Sequence, residues 1–299
     1  MRSTDAIMMK EWLRAVLLTG VLCMIFSTDA QAAAQSAFYG AGQEKLTAEK
    51  VAQNFADYDV IIFGEYHDNQ TIHQQELAIL TQLYQQDPAL ILSLEMFERD
   101  VQHHLDAYLI GQATETEFLA ASRPWQNYSE DYSPCVEFAK ARQMPVLGGN
   151  IPRYIAAQYE KSGNLAELDE AKKRYLPERH VIEKNAYYEA FREYMKSGQV
   201  GMKLSDEQIE RYYQAQCLKD DAMAESIVNA LGKEPHKTVL HLQGEFHGRN
   251  RLGVVEKIQK LNPKLRIGLI SPVYVKTGAE IENAVHHLAV GDVVLAVNQ

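Results

Sequence analysis

Short apolar runs dense in β-branched residues alternate with stretches of helical period over most of this sequence, and that alternation leaves few folds open. Asp59-Val-Ile-Ile-Phe-Gly64 has the character of a strand buried on both faces of a parallel sheet. Helical spacing of Ile72, Leu77, Leu80 and Leu83 follows over 71–86, and Asp87-Pro88 ends it. Ala89-Leu-Ile-Leu-Ser-Leu94 predicts a second strand, Pro145-Val-Leu-Gly148 a third and Thr238-Val-Leu-His-Leu-Gln243 a fourth. Runs at 265–270 and 293–297 predict a fifth and a sixth. Helical segments are expected over 99–110, 133–142, 152–161 and 250–261, and 163–232 reads as helical throughout. The order predicts an α/β chain, a three-layer α/β/α domain with a mainly parallel central sheet. The 163–232 segment is expected to form a helical insertion or cap that roofs the sheet.

Composition narrows the partners. A formal net charge of −10, with no basic run of five, argues against a nucleic-acid binder, which needs clustered Lys and Arg to displace phosphate counterions. At the N-terminus Lys10 and Arg14 precede an apolar run from Ala15 to Phe26, followed by Ala30-Gln31-Ala32. This is the pattern of a signal peptide over 1–32, in a run too short for the roughly 20 residues a bilayer span needs. An uncleaved anchor is the competing reading. An exported, periplasmic chain is the expectation, with residues 33–299 forming a single domain. Cys135 and Cys217 then either pair in the oxidising compartment or stay as buried thiols. No C-x-x-C or Cys/His spacing of a zinc site or a covalent c-type haem occurs.

The chemistry lies where strands end. Gly64-Glu65-Tyr66-His67 follows the first strand and Gly244-Glu245-Phe246-His247 the fourth, the same pattern twice. Glu95 and Arg99 follow the second strand, and Gly149-Asn150, Pro152 and Arg153 follow the third. Open α/β sheets bind ligands at the carboxyl ends of their strands, so Glu65, His67, Glu95, Arg99, Asn150, Arg153, Glu245 and His247 form the candidate catalytic set. Two imidazoles with carboxylates can hold a divalent metal, for which Glu65, His67, Glu95 and His247 are the candidate ligands. Without metal the same groups can form an acid–base set, with Arg99 or Arg153 steadying an oxyanion. No G-x-S-x-G, H-E-x-x-H, Walker or G-x-G-x-x-G motif in strand context is present.

The paired G-E-x-H motifs, Leu94-Glu95-Met96-Phe97-Glu98-Arg99, Gly149-Asn150-Ile151-Pro152-Arg153 and the 125–134 segment together resemble the ChaN family of haem-binding proteins. That family is a branch of the Tiki/erythromycin-esterase-like superfamily, and the resemblance spans roughly 57–274. It implies the α/β/α fold, haem as cofactor and a part in haem or iron uptake with a membrane-associated system. It also implies haem held through a tyrosine at a contact between two copies of the chain. Members are often lipoproteins, and here the sequence departs, because Leu22 stands before Cys23 where a small residue is expected. Ten of the 16 tyrosines lie between Gln126 and Ala215. Tyr128 and Tyr132, in the family-like segment, are the candidate haem ligands. Two functional expectations therefore stand: an exported haem-binding protein, and a metal-dependent or acid–base hydrolase of esters or amides built on the paired motifs. A purely structural module ranks last, because it leaves the paired motifs to coincidence.

Overall fold

A computed structural model describes residues 36–197, 203–276 and 292–298. The signal-peptide segment, Cys23 and His286-His287 lie outside these residues. From Val60 onward every residue of the first expected strand is buried, as a run apolar on both faces requires. It forms β3 (Val60–Glu65) after two short strands, β1 (Ser36–Gly40) and β2 (Lys45–Leu46). Then come β4 (Leu90–Glu98), β5 (Val146–Asn150), β6 (Thr238–Gly244), β7 (Ile267–Val275) and β8 (Val293–Asn298). The sheet has eight strands in the order β2-β1-β8-β7-β3-β6-β4-β5. The ladders linking β3 through β8 are parallel, and β1 runs antiparallel to β2 and β8.

Strand order decides what the motifs can do. β6 lies between β3 and β4, with Glu65 opposite Gly244, so the two G-E-x-H turns leave adjacent strands. The chain runs from β3 toward the β5 edge and from β6 toward the β8 edge. Adjacent strands whose connections diverge mark a topological switch point, where a crevice opens.

Side-chain alternation on β3 builds the two outer layers. Ile61 and Phe63 face the core containing Ile72, Leu80, Leu92, Val136 and Leu240. Val60 and Ile62 face Met223, Ile227, Val254 and Ile258. Helices Gln70–Gln86 and Ser133–Ala141 thus cover one side, and helices Asp206–Lys233 and Val254–Leu261 the other.

The 163–232 segment departs from the expectation of continuous helix. It forms helices Glu170–Lys173, Ala186–Lys196 and Asp206–Lys233, and 174–185 is non-helical. Pro177 removes a donor and drives Leu176 from the helical region. The last of these helices buries Leu218, Ala222, Met223, Ile227 and Leu231. Its C-terminal half is therefore a structural layer, and a roof describes it poorly. Cys135 and Cys217 are both buried free thiols. No helix among the described residues is long and apolar enough to cross a membrane.

Candidate functional site

The carboxyl ends of β3, β6 and β4 bring the two motifs together around carboxylates. Between Leu94 and Glu98 the β4–β5 register shifts, so the stretch carrying Glu95 bulges at the strand end. Bulges re-aim side chains in this way. Glu95 is buried, and its Oε2 accepts a hydrogen bond of 2.7 Å from the Gly244 backbone N–H. Its Oε1 lies 3.2 Å from His247 Nε2. On the opposite edge of that imidazole, Nδ1 bonds Asp220 Oδ1, which reaches in from helix Asp206–Lys233. Gln216 Nε2 stands 3.1 Å from His247 Nδ1.

Burial alone would lower the pKa of His247, but the Glu95 and Asp220 carboxylates outweigh it and push the imidazole up to about 10. At neutral pH His247 is therefore a cation held between the buried side chains of Glu95 and Asp220. For Glu95, burial acts to raise the pKa, yet the charge of His247 and its hydrogen bond hold the carboxyl well below the usual range.

The second half of the site is Glu65 and His67. Glu65 Oε1 accepts from Tyr132 Oη at 2.6 Å and lies 2.5 Å from His67 Nδ1. Burial would raise the Glu65 pKa, but its bonds with His67 and Glu76 keep the carboxyl below its ordinary value. The His67 side chain is 42% exposed, with the edge of Trp125 against it at a ring separation of 4.8 Å. Burial opposes a charge on this ring, and the Glu65 bond and Glu95 charge prevail to raise its pKa. A Cβ on Gly244 would stand 2.8 Å from His67 Nε2, so the glycine lets the imidazole approach this backbone closely. Gly244→Ala should displace the imidazole and cost about 1–3 kcal/mol. Chemical denaturation together with the His67 proton resonances checks this, and an unshifted ring would contradict it.

Other expected residues take different roles. Glu245 is buried facing Gly64, where a Cβ would collide with its Oε2. Desolvation pushes its carboxyl up to about 8, against the partial relief of Arg249 and Ser271. Asn150 positions the bulge, donating to the Glu95 carbonyl at 3.0 Å and accepting from Ile151 N–H at 2.8 Å. Arg99 turns away from the crevice. It donates to Ser226 Oγ and the carbonyls of Tyr175 and Ala222, and pairs with Glu225 at 3.1 Å. Arg153 lies on the rim, 50% exposed, bonded to Glu98 and to the Arg123 carbonyl.

The four expected metal ligands are divided between the Glu65–His67 and Glu95–His247 pairs. Among the described residues, the group able to converge on one ion is Glu65, His73 and Glu76. The two expected haem tyrosines are enclosed. Tyr132 is 0% exposed and commits its hydroxyl to Glu65, and Tyr128 is 4% exposed and packs on Phe97 and Phe118. Burial pushes both phenols above their ordinary pKa. Neither can present an oxygen to a porphyrin at the surface.

Sequence reading missed Asp220, His73, Glu76 and Tyr154. The first three are charged or polar residues on faces otherwise apolar, among Leu218, Ala222 and Met223 in one helix and Ile72, Ile79 and Leu80 in the other. That interruption of an apolar stripe was their signal. Tyr154, 39% exposed, stands beside the rim arginines. Arg123 approaches its ring to 5.9 Å, and its hydroxyl donates to Asp100 at 3.2 Å.

A family model described as "Haem-binding uptake, Tiki superfamily, ChaN" matches residues 51–258. The chain belongs to this family. Among solved structures, the chain is similar to ChaN of Campylobacter jejuni, described as binding haem cofacially. The identity is 19%, the coverage 89% of this chain and 98% of that one, and the TM-score 0.70. A succinoglycan biosynthesis protein aligns at 10% identity over 83% of this chain and 90% of that one, with a TM-score of 0.50. An erythromycin esterase, EreC, in its open conformation aligns at 11% identity over 80% and 77%, with a TM-score of 0.48. Comparison with curated proteins gives no match. The ChaN likeness agrees with the eight-stranded, mainly parallel α/β fold.

Proposed function

We propose that this ChaN-family chain binds haem on the rim at the carboxyl ends of β4 and β5, with Tyr154 as the iron ligand. The observation that carries the assignment is the placement of Tyr154 beside two partly exposed guanidiniums, Arg123 and Arg153, which are 40% and 50% exposed. A phenolate is a hard anionic ligand suited to ferric haem. Arg123 and Arg153 anchor the assembly through Glu98 and Asp100 and keep further N–H donors for propionate groups. Partial burial and the Asp100 carboxylate push the Tyr154 phenol up to about 12. The hydroxyl is thus protonated at neutral pH, with Asp100 as the acceptor next to it. Haem supplies the redox-active iron, and the protein supplies orientation and charge.

The same reading includes export to the periplasm, supported by the 1–32 pattern, and delivery of haem to or from a membrane-associated uptake system. Contact between two copies across the haem is part of the proposal, supported by the cofacial haem binding described for the Campylobacter jejuni protein. The test is a haemin titration followed in the Soret region. Tyr154→Phe should weaken binding at least tenfold, and Tyr132→Phe should leave it within about twofold. The reverse pattern would remove Tyr154 from the role.

A second reading, acid–base hydrolysis, has a specific observation in its favour: the imidazolium of His247 between Asp220 and Glu95, beside the half-exposed His67 on Glu65. On this reading His67, oriented by Glu65, takes a proton from water through its exposed edge. It requires hydrolysis of a chromogenic ester that is lost in His67→Ala while haem affinity is kept. Absence of turnover above the His67→Ala background would eliminate it.

A further inference from the structure

We propose that Glu65, His73 and Glu76 form a buried site for one divalent first-row metal ion, distinct from the haem rim and independent of the haem reading. The site joins the end of β3 to one face of helix Gln70–Gln86, where His73 and Glu76 lie three residues apart and so project side by side. All three residues are at least 96% buried. One ligand atom from each lies within 4.8 Å of the others. Ligands bonded at about 2.0–2.2 Å stand up to about 4 Å apart, so small rotamer adjustments close the set on an ion.

The contacts around His73 fit a cation there. His73 Nε2 faces the carbonyl oxygen of His67 at 3.2 Å, which can only accept, so this nitrogen carries the hydrogen. In neutral imidazole the lone pair then resides on Nδ1. That lone pair faces Glu76 Oε2 at 2.9 Å and Glu65 Oε2 at 3.9 Å. His73 Nδ1, Glu65 Oε2 and Glu76 Oε2 thus converge. Glu65 Oε2 and Glu76 Oε1 are both buried, and beyond the contact between these two carboxyls neither has a hydrogen-bond partner. An ion gives all of them a partner, and the Nε2–carbonyl bond is the outer contact that fixes a metal-bound imidazole.

The donor set of one imidazole and two carboxylates suits Zn²⁺, Mn²⁺ or Fe²⁺. Glu65 Oε1 is already held by Tyr132 and His67, leaving Oε2 for the ion. Through that carboxylate, the ion would fix the orientation of the exposed His67 ring.

The experiment strips the full chain with chelator and titrates it with ZnCl₂ and, separately, MnCl₂ by calorimetry. Elemental analysis of the untreated protein and thermal unfolding accompany it. One ion per chain and a raised Tm are expected. His73→Ala and the near-isosteric Glu76→Gln should each lower affinity at least tenfold, while His247→Gln leaves it within threefold. Circular dichroism establishes that each variant is folded, and Glu76→Gln carries the test if His73→Ala is not. Failure to bind either ion stoichiometrically would overturn the site in favour of a shared proton. Loss of the ion in His247→Gln with retention in Glu76→Gln would assign it to the other pair. Tyr154→Phe should not alter metal affinity, so failure here is separable from failure of the haem reading.

Discussion

Asp220→Ala is expected to be among the most damaging single changes in this protein, lowering stability by about 3–5 kcal/mol. Asp220 is 0% exposed and bonds the Nδ1 of a His247 that is charged at neutral pH. Its removal leaves a buried imidazolium with Glu95 as its remaining carboxylate partner. For a domain of this size, Tm should fall by about 6–15 °C. The pH dependence follows from the same pair. His247 has a folded-state pKa raised from 6.5 to about 10, so its contribution is complete below 6.5 and is lost as pH rises toward 10. Asp220→Asn should therefore flatten the alkaline decline of stability. Chemical denaturation between pH 6 and 10 checks both, and a loss below about 0.5 kcal/mol for Asp220→Ala would contradict them.

Glu245→Gln should do the opposite and stabilise the protein at neutral and mildly alkaline pH. Desolvation raises the folded-state pKa of Glu245 from 4.5 to about 8. A raised carboxyl contributes fully below 4.5, where it is neutral in both states, and that contribution is lost as pH rises to 8. A tenfold change in proton affinity corresponds to about 1.4 kcal/mol, so Gln should add about 4 kcal/mol near pH 7.5 and close to nothing at pH 4. Chemical denaturation of both proteins at those two pH values checks it, and a gain independent of pH would show that Glu245 is already ionised in the fold. Retaining a carboxyl that weakens the fold is consistent with a functional role for this strand-end acid.

Much of the fold was legible because its central strands are continuous apolar runs with helical spacing between them. The antiparallel β1–β2 edge was missed. Its Ser36–Gly40 strand alternates buried and half-buried residues over five positions, too short a pattern to stand out from loop. The convergence of the motifs was legible in kind: Glu65, His67, Glu95 and His247 do meet at strand ends. Their pairing was not, because sequence order cannot show that β6 inserts between β3 and β4. Nor could it show that Arg99 would spend its donors on helix Asp206–Lys233. Tyr132 carried a family-like signal for another reason: it orients Glu65 from inside a π-helical turn. Asp220, His73 and Glu76 escaped notice because each stands in its helix as a polar interruption whose partners include residues distant in sequence.

The most direct measurement is the stoichiometry and absorption spectrum of the wild-type haemin complex. Saturation is expected, with a ferric, high-spin, tyrosinate-like spectrum that disappears in Tyr154→Phe. A linear, unsaturable rise in absorbance, or an unchanged spectrum in Tyr154→Phe, would contradict haem ligation by this rim.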